Sequence, residues 1–205
     1  MNPIKVTQKI TSTPVIPAMK DSGREVMQNI TASAQEFIER LSNTHTNEIL
    51  EFLEKNTKKI KTRSADDSLY LYNNILLYRA PGAKSYDLEQ NLKTLKDSPI
   101  APQFIKYFRL GEEDFLTVMQ VSEKSVSSYA DAPQKVLSSA KEDFRRSMTD
   151  LINRGFVNRD VFANKEALLS ADGGKNLVFA DWSSLQPIDK NEIPIYMGRI
   201  RALAL

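Results

Sequence analysis

Leu151-Ile-Asn-Arg-Gly-Phe-Val-Asn-Arg-Asp160, followed later by Val178-Phe-Ala-Asp181-Trp182-Ser183, is the part of the chain that decides its fold. The first stretch closes a helical pattern at Gly155, passes through Phe156-Val157 and turns at Asp160. The second is a short apolar strand closed by an aspartate. Asp181 lies 21 residues after Asp160. Between them, Ala167-Leu-Leu169, a turn at Ala171-Asp-Gly-Gly174 and the run Asn176 to Ala180 read as a hairpin. An aspartate on a turn before a hairpin, and another after it, present two carboxylates to one site.

Outward from this segment, Lys135 to Asn153 reads as a helix. Val136, Leu137, Ala140, Phe144, Met148, Leu151 and Ile152 fall at helical spacing, and Gly155 takes the position that ends it. Ser122 to Pro133 is a polar connector. Further upstream, Leu69-Tyr-Leu-Tyr72 and Ile75-Leu-Leu-Tyr-Arg79 flank Asn73-Asn74 as a second hairpin, closed by Pro81-Gly82. Ser85 to Lys96 reads as a helix with Leu88, Leu92 and Leu95 inward, stopped by Pro99 and Pro102. Two strands follow, Gln103 to Leu110 and Phe115 to Val121. A strand-rich half with one helix, then a helix-led half with paired strands, is an α+β, two-lobed arrangement.

Residues 21–57 read as a helical segment. Ser22-Gly-Arg-Glu25 has capping-box spacing ahead of Val26, Met27, Ile30, Ala34, Phe37, Ile38 and Leu41. After a break at Ser42-Asn-Thr-His45, a second helix carries Ile49, Leu50, Phe52 and Leu53. Such faces must be buried, against the main domain by default or against a secretion chaperone. Residues 1–20, with Pro3, Pro14 and Pro17, read as a flexible leader, and 58–205 as the main domain.

Composition excludes several classes. A net charge of +2 gives no pointer to nucleic acid. The chain has no cysteine, hence no disulfide or cysteine-zinc site, and its one histidine, His45, reads as a surface residue between helices. No apolar run reaches the roughly 18 residues that a membrane span needs.

Residues 60 to 185 resemble the protein-kinase fold from the second half of its small lobe to its metal-binding aspartate. Asn158-Arg159-Asp160 resembles the catalytic His-Arg-Asp, and Asp181-Trp182-Ser183 the Asp-Phe-Gly. Glu89, ten residues before Pro99, matches the glutamate of the helix after the third strand. Phe115-Leu-Thr-Val-Met-Gln-Val-Ser122 resembles the fifth strand and hinge. The resemblance implies ATP and Mg2+ as cofactors. It implies Asp160 as the residue that handles the substrate hydroxyl, Asp181 as a metal ligand, and Asn164 as the second, although the motif places its asparagine one residue later, at Lys165. Met119 would be the gatekeeper, and Gln120 and Val121 the adenine contacts. Arg79 would stand for the phosphate-binding lysine and pair with Glu89.

Two departures accompany this match. The phosphate loop, Thr62-Arg-Ser-Ala-Asp-Asp-Ser-Leu69, has no glycine, and Asp66 and Asp67 would repel phosphates. Only 22 residues follow Ser183, so the resemblance implies a truncated C-terminal lobe. This is similar to the minimal kinases that Gram-negative pathogens inject by type III secretion, which also carry a polar leader. The implied function is an effector kinase made in the bacterial cytoplasm and acting on a host protein in the host cytoplasm. A pseudokinase that binds a host protein, a small-molecule phosphotransferase and a chaperone-bound scaffold stand as alternatives. Each motif also has a plain reading: Asn158-Arg-Asp160 as a turn, Asp181-Trp182 as a strand end with its tryptophan in the core, and Arg79–Glu89 as a surface pair worth under about 1 kcal/mol.

Overall fold

The computed structural model describes residues 32–62, 65–98, 100–121, 126–129 and 133–205. The readings of the leader, of the helix start at Ser22 to Ile30, of Pro99 and of most of the Ser122 to Pro133 connector lie outside them. The described chain is α+β with antiparallel sheets throughout.

Five strands make the main sheet: β1 (Lys58–Ile60), β2 (Ser68–Tyr72), β3 (Ile75–Pro81), β4 (Gln103–Arg109) and β5 (Asp114–Gln120), in the order β1-β2-β3-β5-β4. The predicted β2–β3 hairpin forms with Tyr72 opposite Ile75. Asn73 takes φ 52 in its two-residue turn, a left-handed conformation that asparagine tolerates better than most residues. β1 falls where no strand is predicted. It buries only Ile60 and leaves Lys58 and Lys59 exposed, a pattern that suits a sheet edge.

The period-two alternation of β3 divides the molecule. Leu76, Tyr78 and Ala80 enter a core shared with the second half of the chain. Ile75 and Leu77 face the other way, into a cluster with α1 (Ala32–Ser42) and α2 (Ile49–Asn56). Phe37 of α1 stacks on Tyr72 at 4.0 Å between ring centroids, so the apolar faces of these helices are covered by the sheet. The first core also receives α3 (Gly82–Thr94), which buries Leu88 and Leu92.

In the second half, α4 (Ser138–Asn153) buries Ala140, Phe144, Met148, Leu151 and Ile152, as its spacing predicts. Leu137 does not join them. It sits in extended conformation just before the helix and is 52% exposed. Strand β7 (Phe156–Asn158) pairs with β10 (Leu185–Pro187), and β8 (Leu168–Ala171) lies between β6 (Val126–Ser128) and β9 (Asn176–Phe179). β6 is a strand within the predicted connector. The β8–β9 turn requires glycine at 174, where φ is 95 and a Cβ would collide with the Lys135 carbonyl. α5 (Ile193–Arg201) packs on α4. No described helix is long and apolar enough to cross a membrane.

Candidate functional site

β7 delivers Asn158 to the point where the two predicted loops meet. Asn158 is buried. Its Nδ2 donates to the Asp181 carbonyl at 2.8 Å. Its Oδ1 accepts from the Asp160 N–H at 3.2 Å and from Ser184 Oγ at 2.8 Å. The Asp160 N–H also reaches Ser184 Oγ at 2.9 Å. One carboxamide therefore stitches the Asp160 turn to the Asp181 strand end. Trp182 turns inward from there, with its indole N–H on the Phe179 carbonyl at 2.6 Å.

Asp160 and Asp181 converge on a single hydroxyl. Ser183 Oγ is 2.6 Å from Asp181 Oδ1 and 3.2 Å from Asp160 Oδ2. With one hydrogen it donates to one carboxylate at a time. Asn164 Nδ2 donates to Asp181 Oδ2 at 3.2 Å and to the Lys61 carbonyl at 2.8 Å. The loop is one residue short of the kinase spacing. A tight 3-10 turn over Arg159–Phe162, followed by an Asn164 N–H bond to the Asp160 carbonyl at 2.7 Å, still brings Asn164 inward. Lys165, at the nominal motif position, is exposed. Asp181 is fully buried. Burial pushes its carboxyl above the usual range and the Asp160 charge adds to this, while hydrogen bonds from Ser183 and Asn164 oppose it.

This donor set fits a divalent cation poorly as assembled. Both Asp181 oxygens are engaged, and Asn164 presents its NH2 group, held in that sense by Lys61. A hard cation needs oxygen ligands, usually six or more including water. No cluster of three or more His, Cys, Asp or Glu side chains with metal-binding geometry occurs among the described residues.

The upper side of the site departs from expectation. Arg79 shares the sheet face of Ile75 and Leu77, pointing away from the two aspartates. Its Nε donates to Asp114 at 2.8 Å, in a pair about one third exposed. Glu89 turns towards β4, where it accepts from the Tyr107 hydroxyl and from Lys93 Nζ, each at 2.6 Å. The expected Arg79–Glu89 pair is thus not formed: strand parity sends one partner to the far face, and helix rotation turns the other towards the sheet edge.

Tyr78 faces the site instead. Its hydroxyl donates to Asp67 Oδ2 at 2.8 Å, and Lys84 Nζ lies 3.0 Å from Asp67 Oδ1 and 3.1 Å from Oδ2. Burial, then the bond and charge of Asp67, with Asp181 adding, push the Tyr78 ionisation well above its usual range. The hydroxyl stays protonated and links the Asp67–Lys84 pair to the Asp181–Ser183 group.

The predicted hinge residues are engaged as well. Met119 is fully buried, in one cluster with Leu69, Leu71, Leu76, Leu169 and Val121. Gln120 is held in the ladder between Ile75 and Gln103. The Val121 N–H donates to the Asn74 carbonyl at 3.0 Å, and its carbonyl accepts from Asn74 Nδ2 at 3.3 Å. These backbone groups are turned to the neighbouring hairpin. A groove of about 430 Å³ lies between α3 and β10, lined by Lys84, Leu88, Asn91, Ser183 and Leu185 among others.

Asn158, Ser183, Asp67, Tyr78 and Lys84 are the site residues that sequence reasoning missed in these roles. The alternation of β3 carried the signal for Tyr78, which shares the parity of Leu76 and Ala80.

No family model matches the sequence, and no curated protein matches it. Among solved structures, the chain is similar to the kinase PK-1 of Cydia pomonella granulovirus, with 12% identity and a TM-score of 0.43 over 75% of this chain. It spans 60% of that kinase.

Proposed function

We propose that this chain is a protein-kinase-like module that acts by binding a partner protein and transfers no phosphate as assembled. The order of its elements supports the kinase-like part: an antiparallel sheet with a helix after its third strand, then a helix, a carboxylate turn, a hairpin and a second carboxylate. The Lys84–Asp67–Tyr78 chain carries the rest. Where phosphoryl transfer needs cations free to receive phosphate oxygens, the inward strand position is a tyrosine and the inward lysine already holds an acid.

The test is incubation of the full chain with radiolabelled ATP, Mg2+ and general protein substrates. Label at the level of an Asp160→Ala control is expected. Incorporation that this substitution abolishes would establish the second reading, an atypical ATP- and Mg2+-dependent protein kinase. The convergence of Asp160 and Asp181 on one hydroxyl favours that alternative.

The polar stretch 1–20 supports delivery as a bacterial type III effector, with a host-cell protein as partner. A reporter fused behind residues 1–20 that stays inside the bacterium would remove this support.

A further inference from the structure

We infer that the Lys84 ammonium and the Tyr78 hydroxyl form an anion seat suited to a phosphoryl group, and that Asp67 fills it as an internal competitor. This rests on the proposed function in one respect: it names what keeps phosphate out of a kinase-like site.

Three contacts engage the Asp67 carboxylate, two from Lys84 Nζ at 3.0 and 3.1 Å and one from Tyr78 at 2.8 Å. The Asp67 side chain is 2% exposed, whereas that of Lys84 is 47% exposed. The cation therefore reaches in from the solvent side and the anion lies within. A buried carboxylate is tolerated only when it is paired and hydrogen-bonded. An ammonium and a hydroxyl aimed at one point offer the same charge-assisted donors to a phosphoryl oxygen.

Lys84 stands in the first turn of α3, where the helix dipole adds to the attraction for an anion. It also lines the groove that runs past Ser183, so the seat borders open space. Asp67 is held close to its partners by its own backbone, for its carbonyl accepts from Thr62 Oγ1 at 3.0 Å and β2 begins at the next residue. An acid so tethered competes at high effective concentration. A free anion meets both that competitor and its negative charge.

The experiment is a calorimetric titration of the full chain with pyrophosphate and, separately, with ATP and Mg2+. It compares the wild type with Asp67→Asn, Asp67→Ser and the double variant Asp67→Ser/Lys84→Met, each first shown to be folded by circular dichroism. Removing the tethered charge is expected to bring pyrophosphate and ATP alike to a Kd about tenfold or more below the about 1 mM at which the wild type shows no saturation, with the larger gain in Asp67→Ser, and the Lys84→Met change should cancel it. No gain in either single variant overturns the seat, as does a gain for ATP alone, which would belong to the nucleoside. If neither single variant folds, Asp67 is a structural charge and the inference also fails. Phosphate transfer by the wild type would count against the proposed function alone, and variants that gain nothing would count against the seat alone.

Discussion

At one end of the buried polar cluster, Asp181 is met by neutral donors, the Ser183 hydroxyl and the Asn164 amide. At the other, Asp67 is met by the Lys84 ammonium. Both carboxylates are buried and both accept hydrogen bonds, yet their partners differ in charge. Neutral dipoles offset only part of the cost of burying a charge, so the Asp181 carboxyl is driven towards its protonated form. A cation at 3 Å offsets more of it. Removing the charge at the first end should relieve the fold. Removing the cation at the second should injure it.

Four substitutions probe this contrast. Asn158→Ala severs the stitch between the two carboxylate loops and strands the Asp181 carbonyl and an Asp160 N–H contact in a dry region. A loss of about 2–3 kcal/mol is expected, read by urea unfolding. Lys84→Met leaves the Asp67 carboxylate buried with Tyr78 as its remaining site partner. Its expected cost is about 2 kcal/mol, reduced from that of a fully buried pair because Lys84 is half exposed.

Asp181→Asn should act oppositely on the charge, so its stability relative to the wild type should be greater at neutral pH than in acid, offset in part by the amide NH2 it sets against the Asn164 NH2. Because the folded pKa of Asp181 is raised, its contribution to stability is complete below the unfolded carboxylate value. That contribution is lost as pH rises through the folded value. The advantage of the asparagine variant should therefore disappear in acid, and melting curves across pH 3 to 8 measure it (a range about the ordinary aspartate pKa). An advantage that grows in acid would mean that Asp181 is stabilised as the anion. The smallest effect is expected on the outer face of the sheet. Arg79→Ala breaks a part-exposed pair with Asp114 and should cost under about 1 kcal/mol, without altering anion binding in any Asp67 variant.

The same contrast explains what was legible in the sequence. The lower end is built from short local segments. Leu151 to Asp160 is a helix end, strand and turn in succession, and Asp181 closes a hairpin, so two carboxylates at one site followed from order alone. Asn164 was legible as a neighbour of Asp181. Its sense as a donor was not, because that depends on the Lys61 carbonyl more than a hundred residues away.

The upper end depends on face and rotation. The resemblance points to Arg79 by alignment with a strand lysine, whereas strand parity makes Tyr78 the inward residue. Glu89 was chosen by its count to Pro99, but the rotation of α3 gives it to Tyr107 and Lys93. Lys84 falls outside a helix predicted from Ser85, whereas α3 starts at Gly82, directly after Pro81. β1 was missed because a three-residue edge strand with one buried side chain carries almost no periodic signal.

The polar cluster satisfies itself and, on the proposed function, so holds no nucleotide. Calorimetric titration of the full wild-type chain with ATP at saturating Mg2+ tests it most directly. No saturable heat is expected up to about 1 mM ATP, an affinity weaker than about −4 kcal/mol. Saturable binding below that concentration, abolished by Asp181→Ala in a folded protein, would contradict it.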